Sequence, residues 1–155
     1  MKTILIPTDF DEVSVHRTHD LLDSMKNESV NIIFFHAYKI TDSISDLLML
    51  SRRTAEYGQI SETFHKACYN LQKTFKNKVD LLSIEYFYGS TMAAFRNFAE
   101  AHNVSHIHYP EAYQYKKISK YSIDPLTFLN RSGIPVLTVE IEPVSQENLT
   151  SELCY

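Results

Sequence analysis

Asp9 is the side chain best placed to do chemistry. It stands in Pro7-Thr8-Asp9-Phe10, directly after the apolar run Ile4-Leu5-Ile6 and ahead of a helix-like segment that begins at about Ser14. That pattern is a buried strand delivering a carboxyl group to a strand-to-helix turn, and in parallel α/β sheets the carboxyl ends of the strands are where ligands bind. An aspartate there can bond a ribose, or it can simply cap the turn before the first helix. The histidines offer a second chemistry. His106 and His108 are two apart on a strand-like stretch and would point the same way, with His36 on a neighbouring or near-neighbouring strand. No Cys or carboxylate accompanies them at ligand spacing, so packed or partly exposed imidazoles are expected and no metal. Lys116, Lys117 and Lys120 lie among Tyr113, Tyr115 and Tyr121, a mixture able to stack bases and contact phosphates. A solvated loop with aromatic anchors is the preferred reading, because a net charge of −4 weighs against nucleic acid as the main partner.

Other chemistries lack their residues. There is no Gly-x-Ser-x-Gly elbow, no Walker loop and no Gly-x-Gly-x-x-Gly after the first strand, where Pro7-Thr8-Asp9 stands instead. Cys68 falls in a helical pattern and reads as core, while Cys154 is one residue from the end; the pair has neither metal spacing nor a disulfide framework. No catalytic residue is assigned. The length of 155 residues suits one domain with a real core, and 44% hydrophobic with 22% charged residues is ordinary for a globular chain. No apolar run approaches the roughly eighteen residues of a membrane span, and Met1-Lys2 leads straight into a strand, so a cytoplasmic protein with no membrane partner is expected.

The elements that must position Asp9 alternate between strand and helix patterns, as βαβ units do. After the first strand, Val15, Thr18, Leu22 and Met25, with Leu21 beside them, recur at helical spacing. Val30 to Tyr38 is nearly continuous in apolar residues, as a parallel strand covered on both faces should be. Leu47, Leu48 and Leu50 suggest a short helix, Gly58 a break, and Ile60, Phe64, Ala67, Leu71 and Phe75 the stripe of a long helix. Val79 to Tyr88 is the third strand, and Ser90 is the expected cap of a helix carrying Met92, Phe95, Ala99 and His102 on one face. A fourth strand is expected around Val104 to Tyr109 and a loop from Pro110 to Tyr121. Asp124-Pro125 reads as an N-cap followed by proline in the first turn, Gly133 as a helix end, and Pro135 to Val139 as the fifth strand. The residues 143–155 form a polar tail behind a domain spanning 1–142.

In this order the chain resembles the universal stress protein family from about Lys2 to Glu140. The resemblance rests on Ile-Leu-Ile-Pro-Thr-Asp-Phe at the start, the second strand ending in His36-Ala37, Gly89 opening the third helix, and Gly-Ile-Pro-Val-Leu-Thr-Val near the end. It implies a doubly wound α/β fold of the adenine nucleotide alpha hydrolase-like type. That is a five-stranded parallel sheet in order 3-2-1-4-5 with helices on both faces, and Asp9 would stand at the switch point. It also implies that Pro7, Thr8, Asp9 and Ala37 form the nucleotide site of members that bind one, and that the last strand pairs two chains. Such members carry two glycines separated by two residues and, after nine more residues, a glycine followed by Ser or Thr. Close approach of backbone amides to phosphate needs the missing Cβ. Here those positions fall near Tyr109, Ala112 and Ser122, and the stretch from Tyr109 to Ile123 contains no glycine. Pro110 removes an amide and Glu111 adds a negative charge where phosphate would lie.

The sequence therefore points to a non-catalytic stress-response protein of the universal stress type. It is expected to need no cofactor and to act as a homodimer through unidentified protein partners, with Val136, Leu137 and Val139 supplying an apolar edge. Two alternatives stand beside it: an ATP or AMP binder with an atypical phosphate loop and at most slow ATPase activity, and an unrelated small α/β ligand-binding module.

Overall fold

The computed structural model describes residues 2–25, 28–38, 62–109 and 122–137. Strand β1 (Lys2–Pro7) leads to helix α1 (Glu12–Ser24), strand β2 (Val30–Tyr38), helix α2 (Glu62–Thr74) and strand β3 (Val79–Tyr88). Helix α3 (Met92–Ala101), strand β4 (His106–His108), the single turn α4 (Leu126–Leu129) and strand β5 (Val136–Leu137) complete the order. The five strands form one parallel sheet, β3-β2-β1-β4-β5, as expected. Among the described residues no helix is long and apolar enough to cross a membrane.

Period-two alternation sorts the central strands onto two cores. Ile4 and Ile6 of β1 and Ile32 and Phe34 of β2 pack with α1 and α2, through Leu22, Phe64 and Leu71. Leu5 of β1 and Ile33 and Phe35 of β2 point the other way, against Phe95 of α3 and Phe128 of α4. With both faces covered, β2 has no solvent side, which is why its sequence reads as one apolar run. The stripe of α2 holds as expected, with Phe64 and Leu71 buried and Phe75 closing the turn behind it. Cys68 belongs to the same core, and burial pushes its thiol up to about 12, so it packs as an inert hydrophobe.

Several element ends differ from the sequence reading. Helix α1 starts at Glu12, before Ser14, because Thr8 Oγ1 accepts the Phe10 amide at 3.0 Å and tightens the turn ahead of it. The cap of α3 is Thr91 and not Ser90: its hydroxyl accepts the Ala94 amide at 3.1 Å, three residues into the helix, a geometry Ser90 is one residue too early to make. Strand β4 is three residues long, since only Ile4 and Leu5 of β1 pair with it. Asp124 caps as expected, its Oδ1 accepting the Leu126 amide at 3.0 Å with Pro125 already in helical conformation. Gly133 has φ +73°, a conformation that favours glycine. The short helix around Leu47 to Leu50, the break at Gly58 with Ile60, the loop Pro110 to Tyr121, Val139 and the tail 143–155 lie outside the described residues.

Gly89 is required for closeness, not for its backbone angle. A Cβ there would stand 2.9 Å from the far carbon of the Phe87 ring and 3.0 Å from the Ala94 Cβ. That ring cannot yield freely, because it is wedged edge-on against Phe95 and Phe128 at centroid distances of 5.5 and 5.3 Å. Gly89→Ala is expected to lower unfolding stability by about 1–3 kcal/mol, the usual cost of overpacking. Urea denaturation checks this, and a variant as stable as the parent would show that the contact relaxes at no cost.

Candidate functional site

The site lies where β1 stops. In a parallel strand, successive residues turn their amides to opposite neighbours; the Thr8 amide bonds the Phe35 carbonyl on the β2 side at 2.9 Å, so the Pro7 nitrogen faces the β4 side. Pairing of β1 with β4 has already ended at Leu5. Proline, which has no amide to donate, therefore occupies the one position at this strand end where no donor is needed. Strand pairing between β1 and β4 thus ends there, at the switch point of the sheet order.

Beyond Pro7 the chain folds tightly over the strand end. Thr8 is buried and its hydroxyl, besides accepting the Phe10 amide, lies 2.7 Å from Ser14 Oγ on α1. Phe10 has φ +63°, a conformation that is costly for a bulky residue. Its ring holds it there, packed 5.6 Å from Phe64, 5.7 Å from Tyr86 and 5.5 Å from His36. The Asp9 side chain is consequently only 6% exposed, and its Oδ1 stands 3.7 Å from His36 Nδ1. The cap position of α1 is Asp11, two residues further on.

His36 is the hub. Its side chain is 2% exposed, with Nδ1 2.8 Å from the Thr8 carbonyl oxygen and Nε2 2.8 Å from Ser122 Oγ. A carbonyl only accepts, so Nδ1 carries the proton and donates it, and Nε2 accepts from the Ser122 hydroxyl. Burial holds the ring below its usual pKa of 6.5, only partly offset by the bond to Thr8.

Ala37 follows on the same strand and is fully buried. Its carbonyl accepts the Ile123 amide at 2.9 Å, and Tyr38 pairs antiparallel with Ser122. Because the Phe35 and Ala37 carbonyls face the same side, Ser122 and Ile123 lie beside β2 in the line that β1 would occupy had it continued. On the other side the Tyr38 carbonyl takes the Gly89 amide at 3.0 Å. Pro7, Thr8, Asp9 and Ala37 are thus brought together, but around a filled strand end. Of the glycine-signature positions, Tyr109 donates its hydroxyl to Asn130 Oδ1 at 3.0 Å, while Pro110, Glu111 and Ala112 lie outside the described residues.

The other histidines do not converge on His36, because β1 separates β2 from β4. His106 Nδ1 bonds Ser105 Oγ at 2.8 Å, and His108 Nδ1 donates to the Leu137 carbonyl at 2.8 Å. Among the described residues no group of three or more His, Cys, Asp and Glu could hold a metal ion. Sequence reasoning missed the Ser122–His36 contact: the two residues are 86 apart, and the only available signal was a hydroxyl residue just before the Asp124 cap.

No protein-family model matches the chain, and no curated protein matches it. Solved structures do. The crystal structure of the hypothetical protein PH0823 aligns with 18% identity over 91% of this chain and 97% of its own, with a TM-score of 0.53. The universal stress protein UspA from Lactobacillus plantarum aligns with 10% identity over 90% of this chain and 97% of its own, again with a TM-score of 0.53. At these identities the likeness is one of fold, and the chain has the fold of the universal stress proteins.

Two buried imidazoles make stability depend on pH. Burial holds both His36 and His108 below 6.5; at His108 the bond to Leu137 opposes and Arg17 reinforces the shift. His108 Nε2 is buried without a hydrogen-bond partner among the described residues, so a proton there would add an uncompensated charge. In the unfolded chain both rings protonate near 6.5 while in the fold they do not, so the unfolded state binds more protons below that pH. Stability should be full above about pH 7 and fall on acidification toward pH 5, by at most about 1.4 kcal/mol per pH unit for each ring. Denaturation curves at pH 7.5, 6.0 and 5.0 test this; unchanged midpoints would contradict it.

Proposed function

We propose that the chain is a universal stress-type protein of the cytoplasm that binds no ATP and acts as a homodimer through protein contacts, without turning over nucleotide. One observation carries the reading: the Ala37 carbonyl is taken by the Ile123 amide at 2.9 Å, in line with the end of β1. The place beside Asp9 and Ala37 that the resemblance assigns to a nucleotide is lined with the protein's own backbone. A nucleotide would have to break that bond, along with the Ser122–His36 contact, before gaining any of its own. The lack of glycine from Tyr109 to Ile123 argues the same way, since no position there approaches phosphate without a side chain.

The dimer reading rests on the sheet edge. Strand β5 is outermost, Val136 is 44% exposed on it, and Leu137 beside it is half-buried. An apolar edge strand invites pairing across a two-fold axis. The opposite edge, β3, is longer but carries Asp80 exposed and Glu85 half-buried, charges of the kind that discourage edge-to-edge contact.

A ligand present at a hundred times its dissociation constant adds about 2.7 kcal/mol of stability. Millimolar Mg-ATP is therefore expected to leave the melting temperature unchanged, and no nucleotide should be released from the purified protein on denaturation. A clear upward shift, or ATP or AMP recovered at near one per chain, would favour the nucleotide-binding alternative.

Light scattering at tens of micromolar should give the mass of two chains, and Val136→Lys should shift it toward one with little change in unfolding. A monomeric parent, or a dimer indifferent to Val136→Lys, would remove the β5 interface.

A further inference from the structure

Ser122 and His36 meet beside Asp9 at the end of β1, in the order that makes a serine nucleophilic. Ser122 Oγ is 2.8 Å from His36 Nε2, within the reach over which a base takes a hydroxyl proton. The tautomer is set by the backbone: the Thr8 carbonyl 2.8 Å from Nδ1 keeps the proton on that nitrogen and leaves Nε2 as the acceptor. A carboxyl oxygen of Asp9, 3.7 Å from Nδ1, is beyond hydrogen-bond distance of the ring, which the Thr8 carbonyl holds, and lies close enough to favour the imidazolium that forms when Nε2 takes a proton. These are a nucleophile and its base, the base oriented by a backbone carbonyl with a carboxyl group nearby, assembled from separate parts of the chain.

We propose that Ser122 is an acyl-accepting site, with His36 as its base and the Thr8 carbonyl holding that base in its tautomer, modified by short-chain acyl thioesters or activated esters. Ser122 Oγ attacks the acyl carbon while its proton passes to His36 Nε2. The carbon–sulfur bond then breaks, and the departing sulfur recovers the proton from Nε2. The products are O-acyl-Ser122, a free thiol and neutral His36. Ser122 is partly buried, which restricts the donor to a short acyl chain. His36 is 2% exposed, and an acyl group on Ser122 further screens Nε2 from water. Deacylation is therefore slow, and the outcome is a modified serine, not rapid turnover. The site goes beyond the stress-protein reading and needs no nucleotide, so the ATP titration and the acylation assay succeed or fail separately.

The test is to incubate the protein with p-nitrophenyl acetate, or with the acetyl thioester of N-acetylcysteamine. Intact mass spectrometry then counts the acetyl groups and peptide mapping locates them. One acetyl group on Ser122 is expected, with none on that peptide in Ser122→Ala, and a rate at least about a hundredfold lower in His36→Gln. Because His36→Gln replaces a buried ring and can fail to fold, the parent protein supplies the second measurement. Its acylation rate should fall on acidification with an inflection below pH 6.5, since a protonated Nε2 accepts nothing. Absence of acetyl at Ser122, a Ser122 rate with no such inflection, or acetyl groups spread only over exposed lysines would overturn the proposal.

Discussion

The end of the central strand governs the rest of the molecule. β1 pairs with β2 on one side and β4 on the other, and at Pro7 it can give no amide to the β4 side. Pairing with β4 has ended before that point, and buried polar groups, Thr8 and His36 among them, collect around the strand end. Thr8 spends its hydroxyl on the Phe10 amide, His36 spends Nδ1 on the Thr8 carbonyl, and Ser122 meets Nε2. An unmade hydrogen bond in such a place costs about 1–3 kcal/mol, so each contact constrains the next. The positive φ of Phe10 is the visible strain of this closure, tolerated because its ring is locked among Phe64, Tyr86 and His36.

The parts of the fold that were legible in the sequence are those written in local periodicity. Val30 to Tyr38 coincides with β2 because burial along nearly its whole length dictates its apolar content, whereas Val79 to Tyr88 coincides with β3 through its β-branched and aromatic residues, most of that edge strand being half-buried or exposed. The order 3-2-1-4-5 followed from the resemblance, not from periodicity. Element ends were less legible, because they are decided by single hydrogen bonds: whether Ser90 or Thr91 caps α3 depends on which hydroxyl stands three residues before a free amide. The brevity of β4 was not legible either, since it reflects where β1 stops pairing and nothing in residues 104–109 themselves.

The candidate site divides in the same way. Pro7, Thr8 and Asp9 sit where a strand-to-helix reading puts them, because three consecutive residues can be placed by one element boundary. His36 was noticed as a possible ligand and Ser122 only as the last position of a missing signature. Their contact is set by the return of the chain antiparallel to β2, a tertiary event without a spacing rule. Ala37 illustrates the limit from the other direction. Its position on β2 is legible in the apolar run, yet its carbonyl is taken by Ile123 through that same return.

The lack of glycine from Tyr109 to Ile123 and the serine–histidine contact are physically connected. A glycine-rich segment gains its affinity for phosphate by leaving amides unpaired and exposed to a ligand. A segment that carries side chains cannot do this without leaving those amides unsatisfied, and it relieves the cost by bonding to the protein instead. Here the relief is the Ile123 amide on the Ala37 carbonyl, which brings the preceding residue directly over His36. Once a hydroxyl occupies that place, a buried imidazole with its other nitrogen fixed by the backbone can only act as its acceptor. The closure of Ile123 onto Ala37 is therefore the step that places Ser122 within 2.8 Å of His36 Nε2.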